Sequence, residues 1–278
     1  MIEETAPAKL NLVLQVGRVR ADGLHELASL FASLELADAV AVERAPSPPD
    51  EVIAPGVEGP NLAQAAIDEL RAALGGDLPP LRVAIEKRIP VAAGLGGGSA
   101  DAAAVLRAAN RLAGDPLGGA ALRELGARIG ADVASQIEPR HALVTGAGEH
   151  VEPVALEPLP VVLVPAATGL STAAVYAEAD RIASTRERLD PDALRELAAL
   201  PAAGLAARLE NDLEAAAVSL RPELEDTLTA VRESGALAAR VTGSGPTVFG
   251  IYADAAAAAA AGERLPEAIV TRLRDRAP

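Results

Sequence analysis

The amino-acid sequence predicts an α+β protein built as two α/β sandwiches, and three observations carry that prediction. Short apolar segments with period-two alternation are interspersed with alanine- and leucine-rich stretches at helical spacing. Several strand pairs lie close enough in the chain to be hairpin-linked, hence antiparallel, which disfavours a doubly wound parallel sheet. At 278 residues the chain is long enough for two domains. Pro153, Pro158 and Pro160 fall together where a boundary belongs, which predicts domains 1–152 and 153–278.

Taken in order, residues 6–16 alternate as a strand: Ala8, Leu10, Leu12 and Leu14 share one face, and Lys9, Asn11, Val13 and Gln15 the other. Lys9 and Asn11 therefore point the same way, about 7 Å apart. The polar turn Arg20 to Glu26 precedes a second apolar segment, 27–36, then a short strand, 39–43, and a proline-rich loop through Pro60. Asn61 is placed to cap a helix over 62–74. A strand over 81–85 delivers the chain to a glycine-rich stretch, and a helical run from Ala100 to Ala113 follows it. Asp115-Pro116 reads as cap and first turn of the next helix, up to Gly130, with Ala131-Asp132-Val133 after its end. Strands are expected over 142–145 and 161–164, and a helix capped by Ser171 that carries Val175 and Tyr176. Helices then run from Asp192 to Arg232, broken near Pro201 and Pro222. Strands over 238–241 and 247–252, joined through Gly243-Ser244-Gly245-Pro246, precede an alanine helix over 255–261 and a last strand over 268–273.

Composition narrows the function. The formal charge is −14, which argues against nucleic acid or an anionic membrane as partner. No run approaches the roughly 18 apolar residues of a membrane span, and the acidic start Met1-Ile2-Glu3-Glu4 lacks the basic and apolar regions of a signal peptide. With no cysteine there is no disulfide, thiolate metal site or cysteine nucleophile. A cytoplasmic protein, monomer or homodimer, acting on a small molecule is expected. The two lysines, Lys9 and Lys87, stand out against 23 arginines.

The organising stretch is Pro90-Val91-Ala92-Ala93-Gly94-Leu95-Gly96-Gly97-Gly98-Ser99-Ala100-Asp101. A glycine loop opening a helix aims bare N–H groups and the positive end of the helix dipole at one spot, which suits a phosphate. No Lys-Ser or Lys-Thr follows the last glycine, so it is not a P-loop. The dinucleotide pattern needs glycine at 99 or 101, where Ser99 and Asp101 stand. A nucleoside triphosphate fits the remaining possibilities.

Pro90 to Ala100 resembles the P-x-x-x-G-L-G-[GS]-[GS]-[SA]-A mark of the GHMP kinase superfamily. Ala6-Pro7-Ala8-Lys9-Leu10-Asn11 with Arg20 to Leu27, Glu86-Lys87-Arg88, Gly130-Ala131-Asp132-Val133, Glu210 to Glu214, and Thr242-Gly243-Ser244-Gly245-Pro246-Thr247 extend the resemblance over nearly the whole chain. The opening motif points to the branch whose acceptor is 4-diphosphocytidyl-2-C-methyl-D-erythritol, in the non-mevalonate isoprenoid route. The resemblance implies an N-terminal sandwich like ribosomal protein S5 and a ferredoxin-like C-terminal sandwich. It implies ATP as co-substrate, with Mg²⁺, and a diphosphocytidyl sugar alcohol as acceptor. Its catalytic pair falls on Lys9 and Asp132, its ATP loop on Pro90 to Ala100, and its acceptor site on Asn11, His25, Tyr176 and Ser244. Ser99 falls at a phosphate or Mg²⁺ contact, and Lys87 and Asn61 near the nucleotide. No protein metal site is expected.

Three departures bear on the acceptor. Leu24 stands where the family places a cytosine-stacking Tyr, Ala134, Ser135 and Gln136 replace its Pro and bulky aromatics, and Ala147 replaces an Arg. The alternatives are a GHMP kinase for a mevalonate- or homoserine-like alcohol, or a catalytically weakened nucleotide-binding relative.

Overall fold

The computed structural model describes residues 1–57 and 59–275, which hold eleven strands and ten helices. Strand β1 (Ile2–Val19) is buried without interruption from Ala6 to Gly17, so its polar residues must find partners inside the protein. Strand β2 (His25–Arg44) is one continuous element where two segments were expected. The reason is Asp38. A mid-strand aspartate reads as a break, but here its carboxylate is taken up by hydrogen bonds, and the strand runs on through it.

The chain forms two compact units, and both long strands contribute to each. The first unit comprises residues 1–8, 36–91 and 96–139. Strand β3 (Glu51–Ile53), in the supposed proline loop, lies parallel to the strand that follows helix α1 (Leu62–Ala73). That strand, β4 (Leu81–Glu86), runs antiparallel to β2 with Ala39 opposite Glu86. Asn61 caps α1 as expected, accepting from Ala63 N at 2.9 Å. Helix α2 (Gly97–Leu112) follows the glycine loop, with α3 (Gly119–Ile129) and α4 (Ala131–Gln136) beyond it. Ile67, Leu70, Val83, Ile85 and Leu106 share one core with nine buried alanines of this unit, most of them on α1 and α2, which lets the helices approach closely.

Asp115-Pro116 does not start α3. Asp115 adopts φ 57°, and Asn110 Nδ2 donates to its carboxylate at 3.3 Å and to Leu117 O at 2.9 Å, so the pair closes a turn and the helix begins at Gly119. Helix α4 was not expected, because six residues carry too little periodicity.

The second unit comprises residues 9–35, 92–95 and 140 onward. Strand β5 (Ala142–Gly146) pairs antiparallel with β2, Phe31 opposite Ala142, and turns back into β6 (His150–Pro153). Next come β7 (Pro160–Val164) and α5 (Thr172–Arg181), whose Ser171 cap accepts from Ala174 N at 3.4 Å. Helices α6 (Pro191–Ala198) and α7 (Ala202–Ala206) lead to β8 (Glu210–Asn211), which lies parallel to β1 with Val13 opposite Glu210. Helices α8 (Glu214–Leu220) and α9 (Glu223–Glu233) precede β9 (Ala238–Val241), β10 (Val248–Ile251), α10 (Ala255–Gly262) and β11 (Ile269–Arg272). These last strands and β7 form an antiparallel sheet in the order β11-β7-β10-β9. Val162, Val248, Leu228 and Val231 join Tyr252 in its core.

Candidate active site

The glycine loop changes unit within itself: 92–95 belong to the second unit and 96–100 to the first. Each half is held by its own surroundings.

In the second unit, Lys9 N donates to Leu95 O at 3.0 Å and Thr247 Oγ1 donates to Ala93 O at 2.7 Å. Gly94 has φ 77°, and a Cβ there would collide with Gly245 O. Glycine is therefore required by both conformation and space. The side chain of Lys9, 8 % exposed, donates to Asn11 Oδ1 at 2.7 Å, and its Nζ lies 5.0 Å from the centre of the Phe31 ring. Asn11 Nδ2 donates to Ser29 Oγ at 2.8 Å, and Ser29 donates to Val13 O at 2.6 Å. Asn11 N donates to Thr242 Oγ1 at 2.9 Å. The ammonium is thus aimed by a buried chain of hydrogen bonds, each oriented by the next.

The turn after β9 is held the same way. Asn211 Nδ2 donates to Val241 O and Gly243 O, both at 2.8 Å, while its Oδ1 accepts from Leu213 N. Gly243, φ 56°, backs onto Asn11 Oδ1. The hydroxyls of Ser244 and Thr172 lie 3.0 Å apart. His25 sits apart from this network. Its Nδ1 lies 3.0 Å from Gly17 O, its Nε2 lies 3.3 Å from Asp180, and its ring centre is 5.0 Å from that of Tyr176. The expected acceptor residues thus fall in three places: Asn11 beside Lys9, Ser244 beside Thr172, and His25 with Tyr176. Leu24 beside His25 is 55 % exposed. The turn 146–149, which carries Ala147, is gathered by Glu149, which accepts from Ala147 N and pairs with Arg20.

In the first unit, Gly96 adopts φ 70° and opens α2, whose first turn carries Ser99. Asp132 is the second residue of α4, and its carbonyl accepts from Ser135 Oγ at 2.8 Å. Gln136 is buried and donates to Pro7 O at 3.3 Å, so its amide is partnered inside the protein. Lys87 donates to Asp38 at 2.5 Å and to Asp101 at 2.7 Å. Burial alone would lower its pKa, but hydrogen bonds to the two carboxylates outweigh burial and hold it above the ordinary lysine value. Burial pushes Asp101 up to about 6, against the opposing pull of Lys87. Asn61 Oδ1 is spent on capping α1. Among the described residues no group of three or more His, Cys, Asp or Glu could hold a metal ion.

Thr242, Thr247 and Asn211 in the second unit and Asp101 in the first lie in stretches the sequence marked, without a role of their own, and Ser29 and Asp38 were not singled out at all. The available signal for Ser29, Asp38 and Asp101 was a polar side chain inside an apolar strand or an alanine-rich helix.

Comparison with known proteins shows the family. The model for the GHMP kinases N terminal domain matches residues 61–139, and that for the GHMP kinases C terminal domain matches 185–271. A 4-diphosphocytidyl-2-C-methyl-D-erythritol kinase of Nocardia farcinica is 43 % identical over 96 % of this chain and 90 % of its own length. A Streptomyces coelicolor protein of the same name is 40 % identical over 91 % of this chain and 88 % of its own. The crystal structure of a 4-(cytidine 5'-diphospho)-2C-methyl-D-erythritol kinase superposes with a TM-score of 0.84 at 35 % identity, over 99 % of this chain and all of that one.

Proposed function

The chain belongs to the GHMP kinases and, within them, to the 4-diphosphocytidyl-2-C-methyl-D-erythritol kinases, and from that membership we propose how it works. It transfers the γ-phosphoryl group of ATP to the 2-hydroxyl of 4-diphosphocytidyl-2-C-methyl-D-erythritol. The bond from γ-phosphorus to the β-γ bridging oxygen breaks, a bond from phosphorus to the acceptor oxygen forms, and ADP leaves. The Asp132 carboxylate orients the hydroxyl and takes its proton, and Lys9 steadies the charge on the phosphoryl oxygens.

The observation that carries this reading is the hydrogen bond from Lys9 N to Leu95 O. It ties the strand bearing the candidate catalytic cation directly to the loop proposed to bind ATP. Residues Pro90 to Ala100 cradle the triphosphate through backbone N–H groups, with Ser99 against a phosphate. Asn11 and His25 hold the diphosphocytidyl part of the acceptor, the imidazole reading the cytosine edge by hydrogen bonds, while Tyr176 stacks on the base and Ser244 contacts a phosphate. Mg²⁺, when bound with the nucleotide, would neutralise charge on its phosphate oxygens.

The domain division proposed is 1–152 and 153–278, with the two matched family models falling on either side. The cytoplasm is the proposed compartment, and monomer or homodimer the proposed state. The test is acceptor-dependent ADP release by the purified chain. Asp132→Ala lowers turnover by at least ~10²; near wild-type turnover in that variant would overturn the assignment of the base.

A further inference from the structure

Three charged side chains that the proposed transfer does not use meet in the first unit beside the glycine loop. Lys87 follows the end of β4, Asp38 lies within β2, and Asp101 is the fifth residue of α2. The Lys87 ammonium donates to one oxygen of each carboxylate. The other oxygen of Asp38 accepts from Arg88 N at 2.5 Å and Ile89 N at 2.8 Å, so this buried carboxylate holds the segment running toward the loop as well as the lysine. The Lys87 ammonium packs against the first residue of α2, for a Cβ on Gly97 would lie only 3.3 Å from its Nζ. Asp101 Oδ1 is buried and has no hydrogen-bond partner.

As a device for stability this triad is poor. Burying two carboxylates against one ammonium loses much of the Coulomb gain to desolvation, and a packed apolar cluster often does as well. The orphaned Oδ1 adds a further penalty. What an apolar cluster could not do is fix three backbone segments by directional bonds: β2, residues 87–89, and the start of α2.

We propose that Asp38 and Asp101 are positioning residues for the nucleotide: through Lys87 they hold the start of α2, and the N–H groups of residues 97–99 with it, at the place where the donor phosphates bind. This rests on reading the glycine loop as the phosphate site. Amide donors recognise phosphate oxygens only within tight geometric limits, so a loosened helix start weakens nucleotide binding. Chemistry on the bound nucleotide changes less, because binding restores the geometry. The signature is a rise in the KM for ATP with kcat nearly kept.

The experiment compares Asp101→Ala and Asp101→Asn with the wild type. Kinetics are measured with ATP varied at saturating acceptor and then the reverse, and the shift of the thermal midpoint on adding ATP is measured without acceptor. Asp101→Ala raises the KM for ATP about tenfold, leaves kcat and the acceptor KM within about twofold, and shrinks the ATP-induced shift. Asp101→Asn, which keeps an acceptor for Lys87, recovers most of the loss. Should the alanine variant fail to fold, the asparagine variant still shows a KM for ATP about threefold above wild type. An unchanged KM and midpoint shift in the folded variants would overturn the proposal, as would equal losses in kcat and in both KM values. Should the wild type phosphorylate no diphosphocytidyl acceptor while the variants still lose ATP-induced stabilisation, the positioning role stands and the kinase assignment fails. If the wild type is active and the variants match it, the reverse holds.

Discussion

Lys9 donates to Asn11 Oδ1 at 2.7 Å, and the amide nitrogen of the same Asn11 donates to Ser29 at 2.8 Å. One side chain therefore orients the candidate catalytic ammonium and is itself oriented from the neighbouring strand. Asn11→Ala removes both bonds inside a buried site, leaving Lys9 and Ser29 each a partner short. Stability falls by about 1–3 kcal/mol. Turnover falls by about tenfold or more, because the ammonium loses its aim. Urea unfolding and steady-state kinetics on the same preparation separate the two effects, and an unchanged kcat would show that Asn11 serves packing alone.

Gly94 and Gly98 make a contrasting pair in one loop. At Gly94 a Cβ would meet Gly245 O in a left-handed backbone conformation, whereas at Gly98 the nearest atom is Leu62 Cδ1 at 3.8 Å. Gly94→Ala therefore destabilises by about 2 kcal/mol or more. Gly98→Ala, in the first turn of α2, is neutral or stabilising by up to ~1 kcal/mol. Denaturant midpoints of the two variants check this, and equal midpoints would contradict it.

Much of this was legible because it was local. The caps Asn61 and Ser171, the alternation of β1 and the glycine loop each announce themselves within a few residues. The roles of Asn211, Thr242 and Asp38 did not, because most of the groups they serve lie between 30 and more than 200 positions away, and a lone polar residue in an apolar segment looks the same whether solvated or spent. Asp38 misled directly. Its hydrogen bonds to residues 87–89 let β2 pass through a point that reads as a loop.

Asp101 gives the fold a pH signature. Its carboxyl titrates at about 6 in the folded chain, driven first by burial, and near 3.9 when unfolded. The folded state thus binds the proton more tightly, and the contribution of Asp101 to stability declines as pH rises from about 4 to 6, then levels off. Asp101→Asn lacks this dependence. The wild-type unfolding free energy, minus that of the variant, falls by on the order of 2 kcal/mol over that window. Urea unfolding at steps from pH 4.5 to 7.5 measures it, and parallel curves would show that Asp101 is not held protonated.

Leu24 is exposed beside His25 and offers no aromatic face to a base. Restoring a ring with Leu24→Tyr adds a stacking contribution of roughly 1 kcal/mol. The acceptor KM drops about fivefold with the KM for ATP unmoved. A KM equal to that of the wild type would mean that Leu24 does not border the acceptor.

The most direct test offers the purified chain 4-diphosphocytidyl-2-C-methyl-D-erythritol, mevalonate and homoserine in parallel, with ATP and Mg²⁺, and follows ADP release. Turnover with the diphosphocytidyl alcohol alone is the predicted result. Turnover with mevalonate or homoserine in its place, or ATP binding without turnover of any alcohol, would contradict the account.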